Sequence, residues 1–191
     1  MRMPLEHEVF RTDRLVVRAA TTQDVDLLYE MWTDPRVMSY VGFPQGLRIT
    51  REKIKQQMQG PYESEFERVL VIVLKATGQA IGECGMRLPN EEGIAETDVK
   101  LLPAFWGHKY GTEVKRGLVG YLFSHTPCVA VGASPNVENI ASIKMQEAVG
   151  GVRVAEHVYE FPESMRDYTT PVHHYIYHVY RKTWEREQSN G

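Results

Sequence analysis

The sequence predicts a mixed α/β domain whose central sheet is mostly antiparallel and flanked by helices. Three observations carry that reading. Strand-like and helix-like segments alternate in the order β-α-(α)-β-β-β-α-β-α-β-β along 191 residues. The second, third and fourth strands follow one another through short turns, as an antiparallel meander does. The composition, 42% hydrophobic and 25% charged, is that of a chain able to bury an ordinary core.

The elements follow in order. Thr12-Asp13-Arg14-Leu15-Val16-Val17-Arg18 alternates like a strand. Thr21-Thr22-Gln23-Asp24 is a capping signal, and behind it Val25, Leu28, Tyr29 and Trp32 fall on one helical face until Pro35 stops the helix. Thr50 caps a second helix through Ile54 and Met58, which Gly60-Pro61 breaks. Val69 to Leu74 is an unbroken β-rich run, buried on both faces as a strand. Thr77-Gly78-Gln79 turns it into Ala80 to Leu88, and Asn90 to Gly93 turns that into Ile94 to Leu101. In this fourth strand Glu96, Asp98 and Lys100 alternate with Thr97, Val99 and Leu101. A helix follows with Val114, Leu118, Tyr121 and Leu122 on one face, then a strand at Val129 to Ala133. Asn136 to Val149 is predicted helical, with Ala141, Met145, Ala148 and Val149 as its apolar stripe and Gly150-Gly151 as its end. Val152 to Phe161 and Tyr175 to Arg181 are the last strands.

Bulk properties narrow the function classes. The length suits one domain, so residues 1–191 are taken as a single unit. A formal net charge of −3 supplies no excess of cations for general nucleic-acid binding. Cys84 and Cys128 each lie in an apolar segment and read as buried free thiols. Met1 to Phe10 carries charges and no apolar leader core, and no apolar run is long enough to span a bilayer. A soluble, cytoplasmic protein with no membrane partner is the expectation.

Phe105-Trp106-Gly107-His108-Lys109-Tyr110-Gly111-Thr112-Glu113 is the most informative stretch. It joins a strand to a helix through a glycine-bearing turn. Free backbone N–H groups and the positive end of the helix dipole then converge on one spot, which suits a phosphate-bearing ligand.

Four pieces together resemble the GNAT superfamily of acetyl-coenzyme A-dependent N-acyltransferases, in its ribosomal-protein N-terminal acetyltransferase-like branch. Thr12 to Arg18 is similar to the opening strand of that branch, and Asp34-Pro35-Arg36-Val37 resembles its motif after the first helix. Pro103 to Glu113 looks like its coenzyme-A loop, and Asn139-Ile140-Ala141-Ser142 its later helix start. The resemblance implies a GNAT-like fold, acetyl-CoA as co-substrate without a metal, and an amine-bearing acceptor, either a small molecule or a protein N-terminus. It implies the pyrophosphate over Trp106, Gly107, His108, Lys109, Tyr110, Gly111 and Thr112. It also implies the pantetheine along the strand edge at Val99, Lys100 and Leu101, with Asn139 beside it. Relatives are often homodimers. Two positions depart from the family pattern: Lys109 stands where the loop has its central glycine, and Gln146 where many relatives have a tyrosine that protonates the thiolate.

Acetyl transfer to an amine needs a deprotonated amine, a polarised carbonyl and a protonated leaving thiolate. Direct attack needs no side-chain nucleophile. Glu96 and Asp98 are candidates to receive the amine's proton, and Ser142 is the remaining candidate near the thiol. The alternatives are a solvated strand face for the two acids and a local hydrogen bond for the serine. A backbone N–H near Asp98 or Val99, at a bulge the family carries, is the expected carbonyl polariser. His174 and His178 share a strand face but lie roughly 13 Å apart, too far for one metal ion. Tyr175, Tyr177 and Tyr180 are expected in aromatic cross-strand pairs, and Trp32 and Trp184 in core or edge packing. Gly-Lys-Ser/Thr, Gly-x-Gly-x-x-Gly, serine-hydrolase and zinc-enzyme signatures are missing. The leading expectation is an N-acetyltransferase. The other is a coenzyme A-binding or regulatory protein of the same fold with little or no catalysis, motivated by Lys109 and Gln146.

Overall fold

The computed structural model describes residues 8–59 and 64–189. In chain order the elements are β1 (Glu8–Arg11), β2 (Leu15–Ala19), α1 (Val25–Thr33), α2 (Pro35–Met38), α3 (Arg51–Met58), β3 (Leu70–Leu74), β4 (Ala80–Met86) and β5 (Ile94–Leu101). They continue with α4 (Tyr110–His125), β6 (Ala130–Ala133), α5 (Ile140–Ala148), β7 (Val152–Tyr159), β8 (Val172–Tyr180) and α6 (Arg181–Ser189). The strands form one sheet in the order β1-β2-β3-β4-β5-β6-β8-β7. Only the β5–β6 pair is parallel.

Two apolar layers cover the middle of the sheet, while the edge strand β7 is largely exposed. β3 shows why: Leu70 and Ile72 point to one face and Val71 and Val73 to the other, each at most 4% exposed. Leu70 and Ile72 meet Val114, Leu118, Val119 and Leu122 of α4. Val71 and Val73 meet Leu28 of α1 and Ile54 and Met58 of α3. Each fully buried aliphatic side chain contributes about 2 kcal/mol by leaving water. The short helices therefore hold through tertiary packing and not through length.

The capping expectations stand in the structure. Thr21 and Asp24 form a reciprocal capping box, and Thr50 accepts from the Lys53 N–H. Cys84 and Cys128 are buried free thiols. Trp184 packs against the α4-side core.

Several boundaries differ from expectation, each for a local reason. Pro35 does more than end α1: Asp34 caps the Arg36 N–H and Pro35 opens the one-turn α2, where its missing N–H costs nothing. The predicted helix at Asn136 starts only at Ile140, because Asn136 turns the chain by accepting from Glu138 N and Asn139 caps Ser142 N. Its apolar stripe differs too, since Ala141 and Ala148 are exposed while Gln146 is buried. β1 and α6 carry no apolar alternation that would announce them. Residues 1–7 of the leader reading and the Gly60-Pro61 break lie outside the described residues. Among the described residues no helix is long and apolar enough to cross a membrane.

Candidate active site

The site begins where the sheet splits. β5 pairs with β6 over only three residues, Ile94↔Ala130, Ala95↔Val131 and Glu96↔Gly132. β6 ends at Ala133, and Pro135 has no N–H with which to prolong a ladder. β5 runs on to Leu101 alone on that side. Its backbone alternation is set by neighbours: Glu96 accepts from Arg87 N and Leu102 donates to Ile81 O on the β4 side, whereas Gly93 accepts from Val129 N on the β6 side. Thr97 therefore turns its N–H to Gly132 O at the last β6 pair, and Val99 and Leu101 aim their backbone groups into the gap. Leu101 O is used there by the Trp106 indole at 2.9 Å. The expected bulge in this strand is absent. β4 and β5 keep one register from Gly82↔Leu101 to Met86↔Thr97. Opposite Asp98 stands Gly85, where a Cβ would lie 2.6 Å from Asp98 Oδ2.

The open edge leads to the start of α4. Gly107 and Lys109 both adopt left-handed backbone, and Lys109, at φ 63°, is the one non-glycine residue that does so among the described residues. The first intrahelical bond is Glu113 N to Lys109 O, and no side chain caps the helix. The N–H groups of Tyr110, Gly111 and Thr112 thus precede the first intrahelical bond and face the mouth of the gap. Gly111 fits between the helix layer and the sheet, where a Cβ would meet Met145 Sδ at 3.1 Å and Leu101 Cδ1 at 3.9 Å. The loop is anchored from behind by Glu113, which accepts from Thr12 Oγ1, Arg14 N and Arg14 Nε. Arg14 also lies over the Tyr110 ring and donates to His108 O. His108 stacks on Tyr110, and Trp106 is half-exposed.

On the opposite face of β5 a cleft of about 350 Å³ is lined by Trp32, Met38, Leu47, Glu83, Asp98 and Lys100, among others. Trp32 is not plain packing: its Nε1 donates to Glu83 Oε1 at 2.8 Å, and Glu83 is buried. Lys100 Nζ lies 3.1 Å from Glu83 and 3.0 Å from Asp98. Burial opposes the Lys100 charge, but the two carboxylates outweigh it and raise its pKa. Burial likewise works against the Asp98 carboxylate, and Lys100 outweighs it and holds Asp98 below its usual range. Glu96 shares this face at the closed end of the gap, its carboxylate so near Gly132 that a Cβ there would lie 2.6 Å from Oε1.

Behind the closed end stands a residue that sequence reasoning missed. Lys115 of α4 is 1% exposed, inside the apolar layer. Its Nζ lies 2.5 Å from Thr97 Oγ1, which donates to Gly132 O at 3.0 Å. Burial pulls its pKa down to about 7, against the pull of Glu96 and Asp98. The signal was present in the sequence: Lys115 precedes Leu118 by three and Val119 by four, so it falls on the inward stripe. Glu83, in the Ala80–Leu88 strand, was also missed.

Of the other expected site residues, Val99 and Leu101 turn their side chains to the α4 layer. Asn139 is occupied in part as the α5 cap, and Ser142 is the residue it caps. Among the described residues Tyr175, Tyr177 and Tyr180 form no cross-strand aromatic pairs. Tyr175 lies under Arg153, Tyr177 bonds Glu147, and Tyr180 meets His178 on its own strand. Among the described residues no group of three or more His, Cys, Asp or Glu is placed to hold a metal.

Comparison with known proteins agrees with this geometry. Residues 14–152 match the family model of the acetyltransferase (GNAT) domain. An uncharacterized N-acetyltransferase of Bacillus licheniformis is 30% identical over 141 residues, 72% of this chain and 79% of that one. Spermidine N-acetyltransferase from Vibrio cholerae, solved with CoA and spermine, has a TM-score of 0.73 at 18% identity, over 90% of this chain and 98% of that one. The ribosomal-protein-S5-alanine acetyltransferase of Vibrio fischeri has a TM-score of 0.72 at 16% identity, over 92% and 97%. An open strand edge that ends at an uncapped helix start is thus set in a matching family frame, and the chain belongs to the GNAT acetyltransferases.

Proposed function

We propose that this acyltransferase moves the acetyl group of acetyl-CoA to a primary amine by direct attack. The observation that carries the reading is the gap itself: a β5 edge that β6 leaves unpaired at Val99 and Leu101 and that ends at the N–H groups of Tyr110 to Thr112. The edge offers backbone partners to an extended amide arm, and the helix start offers donors to a pyrophosphate. The thioester then lies at the closed end, near Thr97 and Glu96, where the outward Val99 N–H is free to polarise the carbonyl. The amine enters from the opposite face through the Trp32–Asp98 cleft. Glu96 and Asp98 receive its proton, directly or through water; Asp98, held low by Lys100, is the weaker base. Asn139 and Ser142 flank the arm from α5.

The cleft volume of about 350 Å³ suits a small amine or the tip of an extended chain. The named activities of the two solved neighbours, on a polyamine and on a ribosomal protein, fall in these two classes. Acetyl-CoA should raise the melting temperature, because a ligand that binds only the folded state stabilises it. Free thiol should then appear with a subset of an amine panel spanning polyamines, amino acids, aminoglycosides and N-terminal peptides. No shift at millimolar acetyl-CoA overturns the reading. A shift with no thiol release across the panel favours a coenzyme A-binding protein without catalysis, the reading that Lys109 and Gln146 motivate.

A further inference from the structure

We infer that Thr97 and Lys115 form a proton-donating pair at the closed end of the β5–β6 gap, Thr97 protonating the departing thiolate and Lys115 restoring the threonine proton. The inference rests on the gap being the coenzyme-A site.

The placement of Lys115 is costly without a purpose. An ammonium brought into an apolar layer loses its hydration, and a leucine or methionine would fill the same volume at no such cost. Lys115 nonetheless sits among Val114, Leu118 and Val119 at 1% exposure. Its nitrogen points at the one hydroxyl that marks where the sheet opens. Thr97 directly follows the last β5–β6 pair, Glu96↔Gly132, and its hydroxyl bridges Lys115 Nζ to Gly132 O. An arm laid along the edge from Leu101 inward brings its sulfur to that hydroxyl.

The protonation chemistry suits the task. The charged groups acting on Lys115 from β5 are Glu96 and Asp98, which favour the ammonium, against burial, which disfavours it. The balance, about 7, leaves a donor whose acidity is close to that of a thiol, about 8.5. Transfer between groups so matched is efficient near neutral pH.

The step balances. The amine nitrogen attacks the carbonyl carbon, the C–N bond forms, and the C–S pair leaves on sulfur. The Thr97 hydroxyl turns its proton from Gly132 O to the sulfur, which takes it, and Thr97 takes one from the Lys115 ammonium. The proton shed by the new amide nitrogen passes through Glu96, Asp98 or water to return Lys115 to its charged form. Thr97 is the group that meets the reacting atom, and Lys115 acts through it.

The test reads the thiol of bound coenzyme A and needs no turnover. Thiolate absorbance of the CoA complex is titrated against pH for the wild type and for K115M, T97V and T97S. Methionine matches lysine in length and removes the charge. In the wild type the bound thiol should begin to titrate below free CoA, because its thiolate and the Lys115 ammonium stabilise each other as a coupled pair. K115M and T97V should restore the free value, and T97S should keep the depression. In turnover, K115M should lower kcat about 100-fold, leave KM for acetyl-CoA within about threefold, and lose the alkaline decline that begins near pH 7. If K115M does not fold, the T97V and T97S pair carries the comparison. CoA bound with the same thiol titration in wild type, K115M and T97V overturns the inference and leaves the coenzyme-A site standing. Wild type that binds no CoA overturns both.

Discussion

Glu113 on α4 accepts both the backbone N–H of Arg14, at 2.8 Å, and its guanidinium Nε, at 2.7 Å. Two sequence pieces 99 residues apart, the opening strand and the loop before α4, are thereby fixed to each other. Partial burial works against the Glu113 charge, yet the bonds from Thr12 and Arg14 outweigh it and lower its pKa. A depressed carboxylate contributes stability that is present above the unfolded value, about 4.3, and lost as pH falls through the folded value. E113Q should therefore cost about 1–2 kcal/mol at pH 7 and flatten the acid limb of stability below about pH 4. Denaturant melts of both proteins from pH 7 to pH 3 check this. Superimposed curves would show that the contact carries no weight.

Lys109 occupies a backbone conformation that costs a side-chain-bearing residue about 1–2 kcal/mol. K109G should raise stability by about 1 kcal/mol, seen as a higher melting temperature, because glycine adopts that conformation freely. An unchanged or lower value would mean that Lys109 makes contacts that offset the strain.

Glu83 is held by the Trp32 indole and by Lys100 on the cleft floor. E83A removes one counter-charge of a half-buried ammonium while Asp98 retains the other, and it unpairs the Trp32 indole, so a loss of about 1 kcal/mol is expected. W32F should cost less in stability yet raise KM for the amine, because it frees Glu83 to turn within the cleft. Steady-state kinetics with a fixed, saturating acetyl-CoA concentration would contradict this assignment if KM for the amine stayed constant.

Val99 aims its N–H into the gap and away from β4, so V99P leaves the β4 ladder intact, as proline does at a sheet edge. Loss of that one donor should weaken acetyl-CoA about tenfold in a calorimetric titration. Equal affinity would remove the Val99 N–H from the binding account.

Much of the fold was legible because local chemistry agreed with the tertiary result. Thr21–Asp24 and Thr50 cap helices in sequence and in space, and the Val69–Leu74 run is buried on both faces as its composition demands. β1 and α6 were illegible because Glu8–Arg11 is four residues long with Val9 and Phe10 adjacent and not alternating, Arg181–Ser189 is mostly polar, and both depend on partners distant in sequence. The loop at Lys109 was legible because a turn leading into a helix has a local signature. The Trp32–Glu83–Lys100 cluster was not, because it joins α1, β4 and β5 across a register that only pairing defines. Lys115 lay between these cases: its inward position follows from helical spacing, but its Thr97 partner follows only from the point at which the sheet opens.

The central claim is that acetyl-CoA lies along the β5 edge with its phosphates at the start of α4. Amide hydrogen exchange with and without acetyl-CoA tests it most directly. Exchange should slow at Val99 and Leu101 and at Tyr110, Gly111 and Thr112, with Asp98 and Lys100, already bonded to β4, unchanged. Acetyl-CoA bound at saturation with no protection at those five amides would contradict it.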